Sequence, residues 1–303
     1  MSDRAVATRH PCGITAIVVA YRRLEQTLVT LERLKACDPP PAEILLHVDG
    51  GEGECAAAIA AAHPDVRMIL SAENVGPGGG RNKLVQASAS PVVASFDDDS
   101  YPIDRDYFRR LASLFKQYPE ATVVSAAVFH LDEPIQADTT SAAWVSDFAG
   151  GACAYRRDEF LAVGGYVPLT VAYGMEEVDF AIRLYERGGR VLHSPWLRVF
   201  HDTDRARHAD PSVTAGSIAN LALLTYLRYP HVLWPLGLGQ CLRRIVWSAL
   251  NGRTRGIAKG LLRVPSQLRK YRGFRGRVPV KSVLAYLALR RRPIAVGLPG
   301  NSA

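Results

Sequence analysis

The chain reads as an α/β protein: a mainly parallel sheet flanked by helices, followed by a basic helical appendage. Three observations lead there. Short runs rich in valine and isoleucine alternate with segments of helical spacing over residues 14–97. Each run is followed by residues able to do chemistry: Ala20-Tyr21, Asp49, Glu73-Asn74 and Asp97-Asp98-Asp99. Parallel sheets bind ligands outside the carboxyl ends of their strands, so this shared address is informative. The third observation is a division of charge. The last acidic residue is Asp210, and the 16 Lys and Arg beyond it leave 21 bases against all 29 acids in the body. The net charge of +8 therefore joins a −8 body to a +16 tail.

The elements follow in order. Residues 14–20 form an apolar run broken by Thr15 alone, as a strand buried on both faces requires. Leu24, Leu28, Leu31 and Leu34 share one helical face, and Pro39-Pro40-Pro41 stops that helix. Residues 43–48 predict a second strand, ending at Asp49-Gly50-Gly51. An alanine-rich helix over 55–62, a third strand over 66–70, a turn and helix over 78–89 and a fourth strand over 92–96 complete a series of right-handed βαβ units. Beyond these we expect a helix at 107–118, a strand at 121–128, strand and loop within 144–155, a helix at 176–187 stopped by Gly188-Gly189, and short strands at 190–192 and 198–201.

The expected domains are 1–210 and a basic, helical region over 211–303. Apolar stretches between 212 and 250 are broken by Pro230 and Pro235 and are too short to span a bilayer. Such a basic region points to an anionic partner. A membrane surface is the expected one, since Leu, Trp and Tyr accompany the arginines; nucleic acid is the less favoured alternative, and a solvated appendage packed on the body the plainer one. The five cysteines are odd in number and lack CxxC spacing, which suits reduced thiols in the cytoplasm. No basic segment with a long apolar core occupies the first 20 residues, so no secretory signal is expected. The expected location is cytoplasmic, with peripheral attachment at the inner face of the plasma membrane.

Three adjacent carboxylates, Asp97-Asp98-Asp99, repel one another. A hard divalent cation relieves that cost and brings phosphate oxygens into its shell. A solvated acidic turn continued by Ser100 and Pro102 is the plainer alternative. In the segment Asn74 to Asn82, successive glycines permit close backbone approach, the amides of the following helix favour anions, and Arg81 offers a planar fork of donors. Its alternative is a flexible loop whose arginine tethers the acidic lip. Glu176, Glu177 and Asp179 suit the first turn of a helix by charge alone, yet one of them can also serve as a general base. His201 becomes a candidate ligand once an oxygen-rich metal site is in view.

Taken in order, the motifs are Ile-Val-Val-Ala-Tyr-Arg-Arg, Val-Asp-Gly-Gly, Asn-x-Gly-x-x-Gly-Gly-Arg-Asn, Phe-Asp-Asp-Asp, Glu-Glu-Val-Asp-Phe-x-x-Arg and Val-Phe-His. The set resembles the family 2 glycosyltransferases, whose nucleotide-diphosphosugar-transferase architecture is called GT-A. The resemblance covers residues 14–205. It implies an inverting transferase that uses a nucleoside-diphosphate sugar with Mn²⁺ or Mg²⁺, and residues 1–210 as the catalytic domain. It implies that Tyr21 and Asp49 hold base and ribose, and that Ala20, Asn74, Gly79, Arg81, Asp97 and Asp98 complete the donor-nucleotide site. Asp97, Asp99 and His201 are the implied metal ligands. Glu177 takes the place of the base, where the family more often has Asp, which leaves Glu176 open as the alternative; Asp179 is assigned to the acceptor or to support of the helix. UDP or dTDP is expected ahead of GDP, and the acceptor is expected to be a glycan or a lipid-linked glycan of bacterial polysaccharide synthesis.

Other readings compete. Gly51-x-Gly53-x-x-Ala56, with Glu73 about 20 residues on, imitates a dinucleotide-binding fingerprint and a nicotinamide oxidoreductase. It leaves Asp97-Asp99 and the Glu176–Asp179 cluster unused. A nucleotidyltransferase would want a glycine-rich loop where Ala20-Tyr21-Arg22-Arg23 stands. A non-catalytic polyanion-binding protein would rest on the basic tail alone.

Overall fold

The computed structural model describes residues 12–51, 53–170, 175–203 and 210–297. Its elements, in chain order, are β1 (Ile14–Ala20), α1 (Leu24–Lys35), β2 (Glu43–Val48), α2 (Gly53–Ala62), β3 (Arg67–Leu70), α3 (Gly76–Ala87), β4 (Val92–Asp97), β5 (Ser100–Pro102), α4 (Tyr107–Gln117), β6 (Ala121–His130), β7 (Ala142–Val145), β8 (Ala152–Arg156), α5 (Arg157–Val163), α6 (Glu176–Glu186), β9 (Arg190–His201), α7 (Pro211–Arg228), α8 (Trp234–Leu250), α9 (Ile257–Lys270), α10 (Val280–Arg291) and β10 (Ile294–Val296).

The first four strands lie parallel in the order β3-β2-β1-β4. β1 is buried along its whole length because its alternate side chains enter two cores. Ala16, Val18 and Ala20 meet Leu31 and Leu34 of α1 and Phe108 and Leu111 of α4. Ile17 and Val19 meet Leu84 and Val85 of α3. The remaining strands extend the sheet with mixed directions. β8 is antiparallel to both β4 and β6, β9 is parallel to β6, and β7 and β10 add antiparallel strands beyond β9.

Three local readings are refined. Residues 190–201 form one strand, not two, and three residues around Trp196 bulge out where the register with β6 shifts. The glycine segment is not a loop before α3 but its first turns. α5 was not anticipated; it closes on Gly164 at φ +90°.

The basic region packs on the body through α7 and α10. Leu224, Tyr229, Val283 and Tyr286 share a buried cluster with Val178, Ala181 and Ile182 of α6. No helix among the described residues is long and apolar enough to cross a membrane.

Candidate active site

The acidic lip forms where β4 turns into β5. β5 then pairs antiparallel with the end of β9, setting Ser100 opposite His201. That pairing brings His201 to the aspartates across a separation of about a hundred residues in sequence. The His201 Nε2 lies 3.1 Å from Asp99 Oδ1, and Thr203 Oγ1 donates to Asp99 Oδ2 at 2.8 Å. Burial opposes ionisation of Asp99, but His201, Arg23 and Thr203 outweigh it and hold the carboxyl below its usual range. Burial likewise disfavours the charged imidazole, yet Asp99 and Asp97 raise His201 above its ordinary value. Asp98 turns inward instead. It accepts from the Tyr21 amide at 3.0 Å and from Arg23 at 3.1 Å. Burial, with the charges of Asp99 and Asp97, pushes its carboxyl up to about 7 against Arg23 and the amide.

Beside the lip lies a cavity of about 320 Å³, lined among others by Pro77, Arg81, Asp97, Phe148, Gly150, Gly151, Glu176, Glu177 and His201. Arg81 rises from α3 in full burial, donates Nε to Ser95 Oγ at 3.0 Å and pairs with Asp97. Burial works against its charge, but Asp97 and, more weakly, Glu177 keep it firmly protonated. Ser95 passes its own hydroxyl hydrogen to the Gly150 carbonyl at 2.7 Å, which holds the cavity wall to β4. A Cβ on Gly150 would lie 2.6 Å from Glu177 Oε1, and one on Gly151 would lie 2.5 Å from Asp97 Cγ. Only glycine lets this wall approach both acids.

The two glutamates differ. Glu176 is 4% exposed, and its Oε1 has no hydrogen-bond partner among the described residues. Burial foremost, then the Glu177 charge, pushes it up to about 8. Glu177 is half-buried; burial raises it as well, and Arg81 pulls it back. Both carboxyls are thus held above their ordinary range by burial, with Arg81 opposing the shift at each.

Other residues singled out by sequence lie off the cavity wall. Tyr21 is 40% exposed, with the Arg22 guanidinium 4.9 Å from its ring centre. The Ala20 carbonyl accepts from the Asp49 amide at 3.0 Å. Asp49 is buried, and its two oxygens accept from the Val75 and Gly76 amides at 2.9 and 3.0 Å, capping α3 from a neighbouring strand. Asn74 is exposed, and its Oδ1 accepts from Gly76 at 2.9 Å. Gly79 packs on Val75 and Pro168. The glycines here serve close packing within the fold: a Cβ on Gly78 would sit 2.9 Å from Glu176 Oε1, and one on Gly80 2.6 Å from His47 Nδ1. Asp179 is buried between Arg183 and Arg228, with Nε distances of 3.0 and 2.5 Å. Arg228 also donates to the Phe274 and Gly276 carbonyls, so one carboxylate ties α6 to the C-terminal region.

Sequence reasoning missed Arg23, Ser95 and the Phe148–Gly151 wall. The basic pair Arg22-Arg23 directly after β1 was the one available signal for Arg23.

Asp97, Asp99 and His201 fit a divalent ion. Their ligand atoms all lie within 4.8 Å of one another. An octahedral ion with bonds of about 2.1 Å spaces adjacent ligands by about 3 Å and opposite ones by about 4.2 Å, so a small inward movement suffices. Carboxylate oxygens with one imidazole nitrogen are donors that Mn²⁺ accepts.

Residues 15–162 match the sequence model of glycosyl transferase family 2. The match, just under half of the chain, identifies this stretch as a family 2 glycosyltransferase domain. Residues 137–208 also match a model described as the N-terminal domain of galactosyltransferase. No curated protein matches the chain. Among solved structures it is similar to GalNAc-T7 with UDP, GalNAc and Mn²⁺, at 14% identity and a TM-score of 0.55, covering 72% of this chain and 48% of that one. It is similar to the mannosyltransferase PcManGT from Pyrobaculum calidifontis with GDP-Man and Mn²⁺, at 18% identity and a TM-score of 0.55, over 92% and 85% of the two chains. S. aureus TarS matches at 14% identity with a TM-score of 0.52, over 70% and 39%. The chain thus spans about half the length of the first of these structures. At such identities the likeness is one of fold, the GT-A fold that the motifs implied.

Proposed function

We propose that this protein transfers a sugar from a nucleoside diphosphate to an acceptor hydroxyl, with inversion at the anomeric carbon and Glu177 as the base. The observation that carries this reading is the convergence of Asp97, His201, Arg81 and Glu177 on one cavity, with Asp99 buried beside Asp97 and His201. The acceptor oxygen bonds to the anomeric carbon as the bond from that carbon to the diphosphate oxygen breaks, and Glu177 takes the hydroxyl proton. Arg81 favours the ionised form of Glu177 that this needs. Glu176, the less exposed of the two and pushed up to about 8 by burial, is suited to donate a hydrogen bond to a sugar oxygen. A Mn²⁺ or Mg²⁺ ion held by Asp97, Asp99 and His201 would neutralise charge on the departing diphosphate. The structures with UDP or GDP-Man and Mn²⁺ support this choice of cofactor and donor class.

We assign Tyr21, at the open lip, to the base, with Asp49, Asn74 and Ala20 on the nucleoside side and Asp98 bonded to the Tyr21 amide; Gly79, buried against Val75 and Pro168, serves packing. Asp179 acts as support for α6. The acceptor we assign is a glycan or a lipid-linked glycan, within polysaccharide synthesis.

Thermal stability measured with UDP, dTDP and GDP, each with and without Mn²⁺, tests the donor class; a ligand at about 100 times its Kd adds about 2.7 kcal/mol. Glu177→Gln should lower turnover by about 10²-fold or more while sparing the nucleotide shift. Near-normal turnover of that variant would sink the assignment of the base, and a product of retained anomeric configuration would sink the single displacement.

A further inference from the structure

α8 carries its apolar side chains on the outside. Of its residues only Gly237 and Ser248 are buried. Gly237 lies against α7, where a Cβ would come within 2.9 Å of Thr225 Cβ. The side of the helix away from Gly237 presents Leu238, Leu242, Val246 and Leu250, flanked by Trp234 and Trp247, all between 40% and 82% exposed. Its two charged residues, Arg243 and Arg244, are both basic. Trp247 lies between two guanidinium groups, Arg244 at 4.9 Å and Arg253 at 5.1 Å from its ring centre.

So many large apolar side chains on one exposed helix face call for a partner. That partner must take leucine and tryptophan and welcome positive charge, because 16 Lys and Arg and no acid follow Asp210. Nucleic acid would match the arginines and leave the leucines in water. A second copy of this chain would bring the same basic region against itself. A bilayer containing anionic lipid meets both demands: the acyl boundary receives Leu and Val, tryptophan settles at the headgroups, and arginines meet lipid phosphates. Since no described helix is long and apolar enough to cross a membrane, α8 would lie in the surface rather than span it.

We propose that α8 docks this protein on an anionic lipid bilayer through the Trp234–Leu250 face. α7 lies between α8 and the body, and Arg228 at its end holds Asp179, two residues from Glu177. Docking thus rests on the helical region that Arg228 ties to α6. Taken with the proposed transfer, it would present the cavity to a lipid-borne acceptor; the docking itself does not depend on that reaction.

The test is co-sedimentation of the full chain with vesicles of phosphatidylcholine alone and of phosphatidylcholine with phosphatidylglycerol. Binding should favour the anionic vesicles at least about tenfold and weaken as salt rises. The double variant Leu238→Asp/Leu242→Asp should lose about tenfold or more of that binding, the equivalent of one lost apolar anchor. Its thermal unfolding midpoint without nucleotide should stay as in the unaltered protein, which shows that it folds and separates this outcome from any failure of the transferase reading. Arg243→Ala/Arg253→Ala should reduce the preference for anionic vesicles while keeping residual binding. Absence of vesicle binding, or binding untouched by the double variant, overturns the proposal. So does light scattering that finds a dimer which the leucine variant dissociates, without lipid binding, and so does tighter binding to a DNA duplex that ignores the leucine change.

Discussion

Gly151→Ala should dismantle the proposed ion site of Asp97, Asp99 and His201 without altering any of the three. A Cβ at this position would lie 2.5 Å from Asp97 Cγ, and closer still to Oδ2, where ordinary contact begins at 3.4 Å. One partner must retreat by about 1 Å, and neither is free to do so. Asp97 is held by buried Arg81, which is itself bonded to Ser95. The Gly151 carbonyl accepts from Ser100 Oγ at 2.7 Å, and Ser100 also accepts from the Asp97 amide at 2.7 Å. Gly151 has no positive φ, so alanine adopts its backbone without strain and the effect isolates the contact. A misplacement of about 1 Å in a positioned group costs roughly 10²-fold in rate. We expect turnover to fall by about that factor, and the Mn²⁺-dependent thermal shift with a nucleoside diphosphate to shrink. Gly239→Ala is the control: a Cβ there meets nothing within 4 Å, and helix stability should hold or rise by about 0.5–1 kcal/mol. Wild-type turnover and a wild-type Mn²⁺ response in Gly151→Ala would refute the reasoning.

Three further outcomes are expected. Glu176 is pushed up to about 8 by burial first and by Glu177 second, so the folded state holds this proton more tightly than the unfolded chain. Its contribution is full below the ordinary carboxylate range and is lost as pH climbs through about 8. Glu176→Gln should flatten the fall in stability between about pH 5 and 9, read by urea unfolding; an unchanged slope would count against the assignment. Arg23→Met removes the cation shared by Asp98 and Asp99. Stability should fall by about 2 kcal/mol, less than for a fully buried pair because Arg23 is 30% exposed, and Mn²⁺ should restore more in the variant than in the parent. Asp179→Ala strands Arg183 and Arg228 in the interior and should cost about 3–5 kcal/mol in chemical denaturation, whereas a loss under about 1 kcal/mol would mean that the two arginines find other partners.

What the sequence by itself determined is local in origin. The boundaries of β1, β2 and β4 follow from apolar runs ended by polar residues, and in a parallel sheet those ends share one lip. That is why Tyr21, Asp49 and Asp97–Asp99 could be placed together with no coordinates. The glutamate pair was equally visible, because a helix first turn is a local feature. The tertiary structure decided everything that depends on two distant segments meeting. The β5–β9 pairing brings His201 to Asp99. The loop before β8 becomes a cavity wall because Ser95 and Ser100 bind its carbonyls, and nothing in Phe148–Gly151 read alone announces that contact. The glycines of α3 looked suited to a ligand, but packing against His47 and Glu176 uses them. The unequal burial of Glu176 and Glu177 gives two identical carboxyls different surroundings, since desolvation and the nearness of Arg81 are properties of place and not of residue type. Asp179 gained its two arginines the same way, one four positions along its own helix and one brought in by the fold.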